Sequence, residues 1–287
     1  MSSVGGAADG LTADGGSLGT GSLGNQAAGR RSTAGARART AQVHGSVTDL
    51  FARALRDYAH QHPGQPVKLL RAGCTGSADD LGLDQLPARS FEVSVKSIDE
   101  DHPLTRKLAD SAAGRGAPLG VDLGDLRTIP LAARAFDVVY CAHLLDRIEH
   151  AELVLDHLVA ALKPGGLLLL RFRDRQSAAG RLDRLLPLAA RRAIWPWLRP
   201  EQAGPFRAVF EPLSSADGVQ GYVLHRGLVI AERQALRDRP RRPTRTAWGA
   251  PVACRLLAWF SRGRLTDSHD DLLYVIRKPE NRFARVL

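Results

Sequence analysis

Residues 124–170 read GDLRTIPLAARAFDVVYCAHLLDRIEHAELVLDHLVAALKPGGLLLL. Inside this stretch FDVVYCA (136–142) and GLLLLRF (166–172, running two residues past its end) are short, nearly continuous apolar runs, the pattern of strands covered on both faces. The residues between them, DRIEHAELVLDHLVAAL (146–162), have the cleanest helical period in the chain, and KPGG (163–166) punctuates their end. A buried strand, a helix and a second buried strand make a βαβ unit. That unit implies a right-handed crossover and a parallel sheet with helices on both faces.

The same alternation extends outward. VKLL (67–70), FEVSVKSI (91–98) and PLGVDL (118–123) are expected as strands before the unit, and GLVIAERQ (227–234) and DDLLYVIRKP (270–279) as two strands after it. At 46–62, SVTDLFARALRDYAHQH sets Val47, Leu50, Phe51, Ala54, Leu55 and Tyr58 on one helical face, and Pro63 and Gly64 stop it. Strands alternating with helices predict a doubly wound α/β domain. Residues 1–44 hold Gly, Ala, Ser, Thr and Arg with almost no large apolar side chains, so they cannot offset their ordering entropy and are expected to be a disordered tail. The domain is expected over 45–287, with the arginine- and tryptophan-bearing segments 174–215 and 237–264 as a lid or acceptor-side insertions.

A chain of 287 residues that is 44% apolar can bury a sizeable core. There is no run of 18 apolar residues and no secretory h-region at the N-terminus, which places the chain in the cytoplasm. The three cysteines, Cys74, Cys141 and Cys254, are too far apart for a zinc cluster and odd in number for a disulfide framework, so neither metal nor disulfide is expected. The net charge of +10 rests almost wholly on arginine, with only five lysines, as in a GC-rich bacterial genome. Charge alone, with no zinc-finger spacing and no RNA-binding aromatic signature, does not indicate nucleic acid as the main partner.

In an open sheet of this kind ligands bind beyond the carboxyl ends of the strands. Those ends carry Gly73, Cys74, Thr75 and Gly76 after the first run, Asp99 after the second, Asp125 after the third, and Cys141, Ala142 and His143 at the fourth. Glycines let backbone N–H groups approach a ligand. An acid 20–30 residues further on suits two ribose hydroxyls, and an aspartate after the third strand can accept from an exocyclic amine. The ordered set outlines a nucleoside-shaped site.

The whole stretch resembles class I S-adenosylmethionine-dependent methyltransferases, particularly those acting on small molecules. The resemblance is carried by Gly124-Asp125, Ile129-Pro130-Leu131, Phe136-Asp137-Val138-Val139, Leu145-Asp146-Arg147 and Leu162-Lys163-Pro164-Gly165-Gly166. It implies a Rossmann-like, seven-stranded, mostly parallel sheet whose last strand, LLYVIRKP, lies antiparallel beside LLLLRF. It also implies S-adenosyl-L-methionine as cofactor, with Asp99 on the ribose hydroxyls, Asp125 on the adenine amine, Leu126 against the ring, and Gly73, Gly76 and Cys141 along the rest of the cofactor. Where the family's first motif has an acid and three glycines, this chain has Arg71, Gly73, Cys74, Thr75, Gly76 and Ser77. A guanidinium beside a sulfonium and an ammonium is unfavourable, so the position of Arg71 decides whether the motif still serves.

His143, just past the fourth run, is the candidate general base, with a packing histidine as the competing reading. The Trp, Phe and Arg of 174–215 suit an aromatic or anionic small-molecule acceptor. Two other readings stand beside methyl transfer. One is a catalytically inactive binding protein of the same fold. The other is a basic peripheral-membrane or nucleic-acid-associated protein using its arginine segments, although for APVACRLLAWFSRGR (250–264) a helix packed on its own domain is favoured over one resting on a membrane.

Overall fold

The computed structural model of the chain describes residues 47–73, 81, 92–113, 121–192, 206–236 and 269–280. The expected tail (1–44), the segment 237–264, and Cys74 and Gly76 lie outside the described residues.

Seven strands form one sheet: β1 (Val67–Ala72), β2 (Val93–Glu100), β3 (Val121–Gly124), β4 (Phe136–Ala142), β5 (Leu162–Arg173), β6 (Val229–Leu236) and β7 (Asp271–Arg277), in the order β3-β2-β1-β4-β5-β7-β6. Neighbours from β3 through β5 are parallel, and β7 is antiparallel to both β5 and β6. The doubly wound, mostly parallel sheet is therefore present, with the last strand antiparallel beside β5 and Leu169 opposite Val275. The helices that accompany it include α1 (Val47–Gln61), α2 (Pro103–Ala113), α3 (Ala151–Ala161), α4 (Ala178–Leu185) and α5 (Ala216–Arg226).

The continuous apolar runs are explained by burial on both faces. Leu70, Val139, Cys141, Leu168 and Leu170 pack on one side with Val154, Leu155 and Leu158 of α3 and Val219 and Val223 of α5. Leu69, Val138, Tyr140 and Leu169 pack on the other side with Leu50, Phe51 and Leu55 of α1. A polar side chain in either layer would forfeit roughly 1.5–3 kcal/mol of burial, so periodicity 2 is absent where both faces are dry.

Two boundaries differ from expectation. The helix expected from residue 146 begins at Ala151, because Leu144, Leu145 and Ile148 enter the core from an irregular turn and His150 is left-handed (φ 59°). Their spacing imitates a helix without forming one. Strand β5 starts at Leu162 rather than 166, with Leu162 opposite Phe136 and a register shift before Val138. Gly166 is required there, since a Cβ would stand 2.7 Å from the Asp137 carbonyl oxygen.

At the amino end of the sheet Asp137 ties three elements together. It accepts from the Lys68 N–H (2.9 Å), the Tyr58 hydroxyl (3.2 Å) and Lys163 Nζ (2.7 Å). The opposite, carboxyl end holds the switch point, where β1 lies between β2 and β4 and successive crossovers leave in opposite directions.

Candidate functional site

A cavity of about 480 Å³ opens beyond the carboxyl ends of β2 and β3. Glu100, the last residue of β2, lines it. Asp99 does not line it: a one-residue step along a strand reverses the face, and Asp99 is fully buried. Its Oδ1 accepts from the Glu100 N–H (2.7 Å) and from the Arg147 guanidinium. The backbone beyond Glu100 is fixed by Thr105, whose hydroxyl is 2.6 Å from the Glu100 carbonyl and 2.7 Å from that of His102, and which accepts from the His102 N–H at 3.0 Å. Pro103 begins α2 because its missing N–H costs nothing in the first turn.

After β3, Asp125 and Leu126 form the adjacent wall. The Asp125 carbonyl accepts from the N–H groups of Thr128 and Ile129 at 2.9 and 2.8 Å, which closes the turn. The carboxylate is gripped by Arg127 through Nε and Nη2, both at 2.8 Å, and through its backbone N–H at 3.0 Å. These hydrogen bonds hold the Asp125 carboxyl down at about 2. Both side chains are exposed, so the pair is screened and can exchange partners with a ligand at little cost. Leu126, only 3% exposed, gives the wall its flat apolar element.

The turn after β4 closes the third side. Arg147 lines the cavity with a side chain only 3% exposed, and its guanidinium carbon lies 4.5 Å from the Phe206 ring centroid. Phe206 also stands 6.2 Å from the His102 ring and so bridges the two walls. The strap that brings it there is fastened along the turn. Val209 and Phe210 donate to the Asp146 carbonyl (3.0 and 3.2 Å), and Ser214 Oγ donates to the Leu145 carbonyl (2.6 Å). Glu211 accepts from the N–H groups of His150 and Ala151 (2.6 and 2.9 Å), supplying to the α3 N-terminus the cap that His150 does not provide.

The other residues singled out from sequence lie elsewhere. Gly73 follows β1 at φ 93° and packs against Ala142, outside the cavity wall. Arg71 occupies the face of Val67 and Leu69, which α1 covers, and does not line the cavity. Cys141 is fully buried in the β4 layer, and burial pushes its thiol up to about 12.

His143 faces β5 and β7 rather than the cavity, with Nε2 3.7 Å from Asp271 Oδ2. Burial and the nearby Arg171 push its imidazole down to about 3. Burial would raise the Asp271 carboxyl, but His143, Arg171 and Arg173 hold it below the usual carboxylate range. Asp146, in the same region, is pushed up to about 6 by burial.

The structure thus brings Asp125 and Leu126 together with Glu100, Arg147 and Phe206, three residues that sequence reading passed over. Glu100 had a signal: Pro103 marks the first turn of α2 and so fixes where β2 ends. Arg147 stands in the Leu145-Asp146-Arg147 turn and Phe206 in the 174–215 segment, but nothing in the sequence joins them across 59 residues of chain.

Among the described residues no helix is long and apolar enough to cross a membrane, and no group of three or more His, Cys, Asp or Glu side chains is placed to hold a metal ion. Residues 70–170 match the family described as methyltransferase domain. No curated protein matches the chain. Among solved structures it is similar to an S-adenosylmethionine-dependent methyltransferase from Mesorhizobium loti, with 16% identity, 81% of this chain and 98% of that one covered, and a TM-score of 0.45. It is also similar to one from Archaeoglobus fulgidus, with 14% identity, 82% and 95% covered, and a TM-score of 0.42.

Proposed function

We propose that the chain, whose residues 70–170 match the family described as methyltransferase domain, is a class I S-adenosylmethionine-dependent methyltransferase, that its carboxyl-end cavity binds S-adenosyl-L-methionine and that it methylates a small-molecule acceptor. The observation that carries this reading is the wall formed by Glu100, Asp125 and Leu126. It offers a carboxylate for vicinal hydroxyls, a second carboxylate for an amine and an apolar face for a ring, and about 480 Å³ accommodates a nucleoside. Glu100 takes the ribose role in this reading, and Asp99 supports it from below through Arg147 and the Glu100 N–H. Gly73 and Gly76 would begin the loop toward the amino-acid part of the cofactor, and Arg71, on the α1 face, does not oppose it.

When bound, the cofactor supplies a methyl group on a sulfonium, whose transfer neutralises charge and chiefly requires alignment and exclusion of water. The chain's part is to hold the nucleoside against Leu126, to cover it with Phe206 and to present the acceptor from beyond β4 and β5. His143 is the candidate proton acceptor there. Burial keeps its imidazole neutral but lowers its basicity, so it suits only an acceptor atom that becomes strongly acidic on methylation. The aromatic and arginine side chains of the segment 174–215 favour an acceptor with an aromatic or anionic group.

Titration calorimetry with S-adenosylhomocysteine tests the reading. The native chain is expected to bind, Glu100→Ala and Asp125→Ala to bind at least roughly fivefold more weakly, and Arg71→Ala to bind unchanged. A second reading, a non-catalytic member with the same fold, is favoured by the burial of Asp99 against Arg147. Absence of heat with either S-adenosylmethionine or S-adenosylhomocysteine would replace the first reading by the second.

A further inference from the structure

Arg147 carries buried donors that the fold leaves unused. Its Nη2 bonds Asp99, whereas Nε and Nη1 have no hydrogen-bond partner, although the side chain is only 3% exposed and lines the cavity. A buried donor without a partner is costly, and a native site that keeps two of them points to a ligand that satisfies them. The other arginines of the wall differ: Arg127 is held by Asp125 and Arg207 by Glu149, and all four of these side chains are exposed. Phe206 lies 4.5 Å from the guanidinium carbon and shields it from water on that side without supplying a lone pair to its N–H groups.

The chemistry of the missing partner is constrained. A guanidinium only donates, so the partner supplies lone pairs. Asp99 already neutralises the charge of Arg147, and Glu100 and Asp125 stand in the same wall. An added anion would meet those carboxylates, whereas a neutral acceptor atom would not. Hydroxyl oxygens and ring nitrogens of a nucleoside are such atoms.

We propose that Arg147, held by Asp99 and roofed by Phe206, is a recognition residue that donates from Nε and Nη1 to neutral acceptor atoms of the cofactor's adenosine part. This rests on the S-adenosylmethionine reading above and adds to it a specificity contact from the turn after β4. Asp99 is the positioning residue: it fixes the guanidinium by one nitrogen and leaves the other two for the ligand. Phe206 couples the site to the C-terminal part of the 174–215 segment, so the nucleoside is enclosed only when that strap is seated.

The test is calorimetry on the full chain with adenosine, 2′-deoxyadenosine, 3-deazaadenosine and 7-deazaadenosine. Arg147→Lys keeps a cation beside Asp99 and is expected to lose roughly tenfold or more in adenosine affinity while its melting temperature stays near native. At least one analogue, the one lacking the contacted atom, should bind the native chain about as weakly as adenosine binds Arg147→Lys and lose nothing further in that variant. Phe206→Leu, which leaves the ion pair intact, should weaken all four nucleosides. Native-like adenosine affinity in Arg147→Lys, or equal losses for all four ligands in that variant, would overturn the proposal. Tight binding of inorganic phosphate that Arg147→Lys abolishes would also overturn it, in favour of an anion site. If the native chain binds neither adenosine nor S-adenosylhomocysteine, the functional reading itself falls and takes this one with it; adenosine binding with an unaffected variant removes only the role of Arg147.

Discussion

Gly73 stands so close to Ala142 that a Cβ on the glycine would lie 2.3 Å from the Ala142 carbonyl oxygen, and its φ of 93° admits few other residues. Gly73 is therefore a packing requirement between β1 and β4. Gly73→Ala is expected to destabilise the fold by about 1–3 kcal/mol through backbone strain, with overpacking against Ala142 adding to it. Gly64, at φ 78° with open space around it, provides the control: Gly64→Ala should cost only about 1–2 kcal/mol. Urea denaturation of both variants measures the difference, and equal losses would show that the close approach to Ala142 is not limiting.

Glu211 caps α3 from outside the helix by accepting from the N–H groups of His150 and Ala151. Glu211→Ala removes the cap and should cost about 0.5–2 kcal/mol. It also unfastens the strap that carries Phe206, so trypsin should cut at Arg207 faster in the variant than in the native chain. An unchanged cleavage rate would mean that the bonds to Asp146 and Leu145 hold the strap without it.

Asp146 and His143 give opposite pH dependences. The Asp146 carboxyl is raised from 3.8 to about 6, so between those values the folded chain binds more protons than the unfolded chain, and this group's contribution falls as pH rises. His143 is lowered from 6.5 to about 3, so over that range the unfolded chain binds more protons, and its contribution rises with pH. Asp146→Asn should therefore gain stability relative to the native chain as pH goes from 4 to 6, by about 2–3 kcal/mol at most. His143→Gln should lose relative stability over about pH 3 to 6.5. Melting temperatures across this range, compared at each pH, check both signs.

Cys141 is fully buried with its thiol pushed up to about 12, so almost none of it is thiolate near neutrality. In the native state at pH 8 iodoacetamide should leave Cys141 unmodified, and in urea it should modify it, as read by peptide mass mapping. Rapid native labelling would show that the β4 layer opens readily.

Much of the fold was legible in the sequence because it depends on patterns confined to short segments. The apolar runs at 67–70, 136–142 and 166–172 declare strands dry on both faces, and the face of Val47, Leu50, Phe51 and Tyr58 declares α1. Boundaries were less legible where packing and helical spacing coincide: Leu144, Leu145 and Ile148 match a helix in sequence yet serve as the buried feet of a turn. The site was legible in part. Asp125 and Leu126 follow directly from the end of β3, and both line the cavity.

What the sequence determined by itself is the alternation of strand and helix, and with it the sheet, the switch point and the carboxyl edge at which sheets of this kind bind ligands. Tertiary structure alone decided which side chains reach that edge. Whether Asp99 or Glu100 faces the cavity is a matter of one residue along β2, since each step reverses the face. Arg147 finds Asp99, and Phe206 finds Arg147, only after crossovers bring distant turns together. A strand is written in neighbouring residues, whereas a binding site is made of residues whose distance in sequence bears no relation to their distance in space.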